Sequence, residues 1–192
     1  LNGNQGNDYL SADATLNGGD GNDTLIGGVG ADTYNGGAGD DTLVVSDGAD
    51  TMSGGTGFDI VLYQGTEAGE TLDLDQTGNS IAVAGVHTGT IDVSAADLER
   101  IDINGEGGDD TIGTLSGLAL PIIADGGAGN DTISGSPTVT SPMTIFGRDG
   151  NDTLTGGNVA DLIYGGFGND ILIGAGAGDT LYGEEGDDRF GE

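Results

Sequence analysis

The sequence predicts an all-β fold, a parallel β-solenoid of short stacked coils, and three observations carry that reading. A nine-residue period recurs through much of the chain. Glycine supplies 42 of the 192 residues, and aromatic side chains make up only 5%, with no Trp. A conventional two-layer core would be starved of bulk by such a composition. Glycine at this level means collagen, a disordered linker or a repeat built from tight turns. Collagen is excluded because glycine does not recur at every third position and Pro occurs three times.

The period comes first in the argument because repeats decide the whole architecture. From Gly18 the chain reads GGDGNDTLI, GGVGADTYN, GGAGDDTLV, a looser VSDGADTMS, and GGTGFDIVL to Leu62. Six units along the chain match G-G-x-G-x-D outright, and the others keep the Asp. In one unit, Thr24-Leu25-Ile26 suffices for a short strand with Leu25 inward. GGDGND before it is a turn in which glycines adopt positive φ. One unit buries nothing alone, so stacking must build the core. The inward set is Leu25, Tyr34, Leu43, Met52 and Val61, then Ile112, Ile133, Leu154, Ile163, Leu172, Leu181 and Phe190.

Residues 63–104 lose the repeat. Thr71-Leu72-Asp73-Leu74-Asp75 and Ile101-Asp102-Ile103 alternate with period two, which points to half-buried strands. Ser94 to Arg100 is suited to one capped helical turn. The segment is either irregular coils continuing the stack or a small β insertion. The period returns at 105–113, 126–134 and 147–155, then runs without a gap from 156 to 191. Asp110, Asp131 and Asp152 are separated by 21 residues each, with apolar runs such as Leu118–Ile123 inserted as longer strands. Pro137 and Pro142 suit loop or edge positions. The expected organisation is a first array at 1–62 (irregular before 18), a non-repeat segment at 63–104 and a second array at 105–192.

Charge narrows the function. Asp and Glu total 33 against Arg100, Arg148 and Arg189, giving a net charge of −30. Nucleic acid and anionic membrane are excluded as partners, because phosphate contacts need a basic surface. No segment is long and apolar enough to span a membrane, the longest apolar stretch (115–124) being interrupted by Pro121. Cysteine is absent, so no disulfide or thiolate site exists. The N-terminus carries no basic-then-apolar leader and opens inside a degenerate repeat, which suggests an excerpt of a longer chain.

With two units per coil, equivalent turns stack 18 residues apart. Asp23, Asp41 and Asp59 then line one edge and Asp32 and Asp50 the other. Asp152, Asp170 and Asp188 share an edge later, opposite Asp161 and Asp179; Asp110 and Asp131 complete the position-six set. Carboxylates stacked on strands about 4.8 Å apart repel unless a cation lies between them. An all-oxygen shell of carboxylates and carbonyls suits Ca²⁺, several ions in all. Zinc or copper would need Cys or His, and only His87 is present.

The G-G-x-G-x-D-x-U-x units resemble the repeats-in-toxin (RTX, hemolysin-type) nonapeptide over 18–62 and 105–191. The resemblance implies a right-handed parallel β-roll in which the position-six Asp and early-position carbonyls of adjacent turns hold Ca²⁺. Those carbonyls would belong to Gly19, Gly21, Gly37, Gly39, Gly55, Gly57, Gly127, Gly129, Gly166 and Gly168. It further implies a secreted, extracellular bacterial protein exported by type I secretion, with the active domain elsewhere in a longer parent chain. Val45-Ser46, Val159 and Ala177 replace glycines, which implies weakened or empty sites at those turns. Asp8 and Asp13 precede a break in register.

Competing readings have less behind them. Position-seven threonines fit β-propensity and cross-strand pairing. His87 has no partner set and reads as a solvated loop residue. Glu67, Glu70, Asp97 and Glu99 offer carboxylates for glycoside chemistry, but acidic residues are abundant everywhere. Tyr63, Tyr164 and Tyr182 could stack on polysaccharide, as in the binding module of an adhesin or polysaccharide-modifying enzyme. The expectation is a calcium-binding scaffold and not a self-contained enzyme.

Overall fold

The computed structural model describes residues 1–77, 80–85, 89–92, 97–176 and 178–191. It is all-β, with no helix among the described residues. The first seven strands are β1 (Asn2–Gln5), β2 (Tyr9–Ser11), β3 (Thr15–Asp20), β4 (Thr24–Ile26), β5 (Thr33–Ala38), β6 (Thr42–Val44) and β7 (Gly48–Thr56). The next seven are β8 (Ile60–Thr66), β9 (Thr71–Thr77), β10 (Ser80–Ala84), β11 (Gly89–Asp92), β12 (Arg100–Glu106), β13 (Thr111–Ser116) and β14 (Ile122–Ala128). The last are β15 (Thr132–Gly135), β16 (Met143–Asp149), β17 (Thr153–Thr155), β18 (Leu162–Phe167), β19 (Ile171–Ile173), β20 (Thr180–Glu185) and β21 (Arg189–Gly191).

Two compact units form: Leu1–Tyr63 with Gln76–Asp102, and Gln64–Asp75 with Ile103–Glu192. In the first, β1, β3, β5 and β7 pair in parallel while β2, β4, β6 and β8 form a facing parallel ladder. Consecutive strands alternate between the ladders, so neighbours within a ladder are one coil apart: Thr24 pairs with Thr42, and Thr33 with Thr51. Parallel pairing follows from this, because every second strand returns in the same direction. The second unit repeats the scheme through β13, β15, β17, β19 and β21, opposite β14, β16, β18 and β20.

The core is a thin line of inward side chains. Leu25, Tyr34, Leu43 and Met52 are fully buried in the first unit, as are Ile133, Leu154, Ile163 and Leu172 in the second. Phe190 departs from the expected set at 59% exposed, because β21 is a terminal strand covered on one side only. Each 21-residue interval proves to be one whole coil, since the N–H of Asp110 still reaches Asp131 and that of Asp131 still reaches Asp152. The added residues lengthen the connections before β14 and β16.

The non-repeat segment holds a small β insertion. β10 and β11 form an antiparallel pair, and β11 lies parallel to β7. His87, residues 94–96 of the expected helical turn, and Ala177 lie outside the described residues; Asp97 to Glu99 are not helical.

The second position of the turn is strained at several units. Asn4, Glu106, Arg148, Ala175 and Glu184 replace glycine there and all keep positive φ. A left-handed conformation costs an L-residue about 1–2 kcal/mol, part of which glycine returns in unfolded-chain entropy. Ala175 is exposed and its φ is 68°. Ala175→Gly is therefore expected to stabilise the fold by up to about 1 kcal/mol, a rise of roughly 2–4 °C in melting temperature. Thermal unfolding at fixed calcium measures it.

Candidate metal centre

Most repeat turns end in an aspartate buried against the neighbouring coil, and Asp8, Asp179 and Asp188 are half-buried. In the first unit the backbone N–H groups of Asp8, Asp23 and Asp41 each donate at 2.8 Å to Oδ1 of the aspartate one coil on: Asp23, Asp41 and Asp59. In the second unit the N–H of Glu70 donates to Asp110 at 2.7 Å. The line continues through Asp131 and Asp152 to Asp170 at 2.8 Å, and to Asp188 at 3.0 Å. The sequence-expected edges are these lines, with Asp8 now on the first.

The other carboxylate oxygen sets these lines apart. Oδ2 of Asp8, Asp23, Asp41, Asp59, Asp110, Asp131, Asp152 and Asp170 is buried and accepts no hydrogen bond. Buried polar atoms are ordinarily paired, and each one left alone requires a reason. Glycine at position one leaves room beside each. A methyl group on Gly18 would lie 2.1 Å from Asp23 Oδ2 and 2.5 Å from the Gly36 carbonyl oxygen. On Gly165 it would lie 2.3 Å from Asp170 Oδ2 and 2.6 Å from the Gly183 carbonyl oxygen. These cradles thus gather a carboxylate and a carbonyl from successive coils around a space that a side chain would fill.

The donor set fits a hard cation. Among the described residues no three acidic or imidazole side chains converge, so an ion here draws most of its oxygen from the main chain. Burial, reinforced by neighbouring carboxylates, pushes Asp41 and Asp110 up to about 6 and Asp152 up to about 7. The backbone N–H bond opposes this in each case. Burial also raises Asp59, Asp131 and Asp170. These carboxylates are costly to ionise without a counter-charge.

All ten glycines expected to offer carbonyls have positive φ. The carbonyl oxygens of Gly19 and Gly21 face Gly37 and Gly39 of the next coil, 2.2 Å from where a methyl group would sit on either. Sequence reasoning missed the position-one carbonyls of Gly36, Gly54, Gly126, Gly165 and Gly183. Their signal is present on this edge, where the first glycine is kept even before Asn4, Glu106, Arg148 and Glu184, which replace the second.

The opposite edge is different. Asp32 N–H donates to Asp50 Oδ1 at 3.0 Å, but Asp32 Oδ2 accepts the Gly28 N–H at 3.1 Å and Asp50 Oδ2 accepts Ser46 Oγ at 3.1 Å. The Tyr34 hydroxyl accepts the Gly27 N–H at 2.8 Å, lies 2.8 Å from Ser46 Oγ and donates to the Val44 carbonyl. Burial first, with the Asp50 and Asp32 charges adding, raises that phenol to about 12, so it stays neutral. In the second unit Asp161 N–H reaches Asp179 Oδ1 at 2.9 Å, while Asp161 accepts from Met143 and Gly157. Asp13 takes the Val29 N–H at 3.0 Å on this side. Protein donors already satisfy Asp32, Asp50 and Asp161, where the first edge leaves one oxygen over.

A second ladder, also missed, runs outside the first at position five. Asn22 Oδ1 accepts the Asp40 N–H, Asn130 that of Asn151, and Asn151 that of Asn169. The recurring Asn-Asp and Asp-Asp pairs were the readable trace. Of the carboxylates considered for glycoside chemistry, that of Glu99 accepts the Asp59 N–H as part of the ladder, and that of Glu70 accepts the Thr66 N–H and hydroxyl. Tyr164 stacks between Phe146 and Tyr182 at 5.1 Å on each side, so its ring faces are covered by its neighbours, and Tyr63 is buried.

A family model described as the RTX calcium-binding nonapeptide repeat, in four copies, matches residues 1–14, 11–43, 27–61, 123–137, 144–163 and 155–190, more than half of the chain. No curated protein matches the sequence.

Proposed function

Because this chain belongs to the RTX calcium-binding nonapeptide repeat family, we propose that it is a calcium-binding β-roll module whose folding is driven by the ion. One observation carries the reading: eight buried aspartate Oδ2 atoms without partners, each beside a glycine cradle. The position-six aspartates Asp23, Asp41, Asp59, Asp110, Asp131, Asp152, Asp170 and Asp188 supply carboxylate oxygen, together with the turn carbonyls. In a calcium-poor cytosol a chain of net charge −30 repels itself and stays extended for export. Outside the cell, calcium at the levels of weak extracellular sites neutralises the edges, and its binding energy becomes folding energy. The module then serves as scaffold or folding nucleus for other domains of a longer secreted bacterial protein. No helix among the described residues is long and apolar enough to cross a membrane.

The test is a calcium titration of chelator-treated protein followed by far-UV circular dichroism, with magnesium as control. The expected result is a cooperative, calcium-selective gain of β signal. A chain equally folded in chelator would overturn the proposal.

A further inference from the structure

The regular calcium-binding lattice should end at the Gly54–Asp59 turn, because the coil that would follow it has lost the repeat. In the preceding coils the cradle of one turn is closed by the position-one carbonyl 18 residues later: Gly36 for Gly18, and Gly54 for Gly36. For Gly54 the counterpart would be Leu72, in a stretch with no glycine turn.

The first unit supplies a substitute from far along the chain. A methyl group on Gly54 would lie 2.3 Å from the Asp97 carbonyl oxygen and 2.5 Å from Asp59 Oδ2. Glu99 reproduces the ladder as well: its Oε2 accepts the Asp59 N–H at 2.7 Å, and its own N–H donates to the Asp59 carbonyl at 2.9 Å. The latter bond is the one Ile60 N–H makes to the Asp41 carbonyl at 3.0 Å in the coil before. Leu98 between them is 6% exposed and anchors the segment in the core.

Asp97 adds something no repeat turn has. Its Oδ2 accepts the Ser53 hydroxyl at 3.0 Å, while its Oδ1 is buried and unpartnered. Asp59 is fully buried and its Oδ2 is likewise without a partner. Two carboxylate oxygens are therefore left over at one turn, with the Asp97 carbonyl oxygen beside the same glycine.

We propose that residues 97–99, which carry no repeat signature, complete a further calcium site with the Gly54–Asp59 turn, ligated by Asp59 Oδ2 and by the carboxylate and carbonyl of Asp97. The proposal rests on the reading of the chain as a calcium-binding module. Ligand charge tunes calcium affinity, so this site, with a second carboxylate, fills before its neighbours. Calcium then ties the non-repeat segment to the array beside it.

The test counts calcium bound to the full chain by equilibrium dialysis and follows amide exchange at 97–99. Wild-type protein is expected to gain protection at 97–99 at the lowest calcium that yields any β signal. Asp97→Ala should bind one ion fewer, with unchanged circular dichroism at saturating calcium. The isosteric Asp97→Asn keeps the Ser53 bond and guards against misfolding. It should weaken one site by at least the roughly tenfold that loss of an outer-shell partner costs. Ser53→Ala, which removes no ligand, should retain the full ion count. Wild-type loading with both Asp97 variants unchanged in number and affinity would overturn this site alone. A wild-type chain that binds no calcium would overturn the module reading with it.

Discussion

Chelator-treated protein at about pH 8 is expected to lose its β signal and to recover part of it on acidification to about pH 5. The direction follows from carboxyls whose values in the fold lie above the unfolded value near 3.9. Such a group stabilises the fold fully when pH is below its unfolded value, and the contribution is lost as pH rises through its folded value. For Asp41 and Asp110 the loss therefore runs from about 3.9 up to about 6, and for Asp152 up to about 7. Burial is the main cause in all three. Metal-free protein should therefore be least stable above about pH 7 and gain structure down toward about pH 4. The unfolded chain's self-repulsion falls over the same range. Protons and calcium compete for the same oxygens, so calcium affinity should fall as pH drops and loading near pH 6 should release protons. Circular dichroism in chelator across this range checks the first claim, and a pH-stat during calcium addition checks the second. A metal-free fold that weakens on acidification would contradict the burial argument.

Gly168→Ala is expected to be strongly damaging to the second unit. Gly168 has φ +129°, and a methyl group there would sit 1.7 Å from the Gly150 carbonyl oxygen and 2.6 Å from its carbon. The obstacle is main chain held in register with the next coil, so it cannot swing aside. Strain of this kind combined with overpacking places the cost on the order of 4 kcal/mol or more. Gly30→Ala is the matched control. Gly30 also has positive φ (+108°), but nothing lies within 4 Å of the added methyl group. It should cost only the left-handed penalty of about 1–2 kcal/mol. Thermal unfolding at saturating calcium should rank the two in that order; equal losses would mean that close coil contact does not limit the turn.

The repeat made most of the architecture legible. A nine-residue period with an apolar eighth position implies two strands per coil, and the predicted partners are the ones that stack: Asp23 on Asp41 and Asp161 on Asp179. Legibility failed where function depended on contacts distant in sequence. Nothing near Asp97 or Glu99 announces that they stand beside Asp59, because an irregular segment of roughly 40 residues separates them. The difference between the two edges was equally hidden. Tyr34 read as a bulky core residue, yet its hydroxyl reaches past the core to the Gly27 and Ser46 turn. The same aspartate pattern thus meets no donor for its second oxygen on one side and N–H or hydroxyl donors on the other. Domain limits read from the loss of period also miss that residues 76–102 pack with the first unit and 64–75 with the second.

The stacking interval constrains how such a chain can change length. Carboxylate partners lie 18 residues apart, or 21 where a connection is extended. Adding or removing a whole coil leaves every remaining aspartate above a partner from its own edge. Excising a single nonapeptide does not: without residues 27–35, Asp23 would come to rest on Asp50 instead of Asp41. A cradle with an oxygen to spare would then face a turn closed by Ser46. Copy number is therefore counted in coils, and the nonapeptide visible in the sequence is only half of what can be gained or lost in one step.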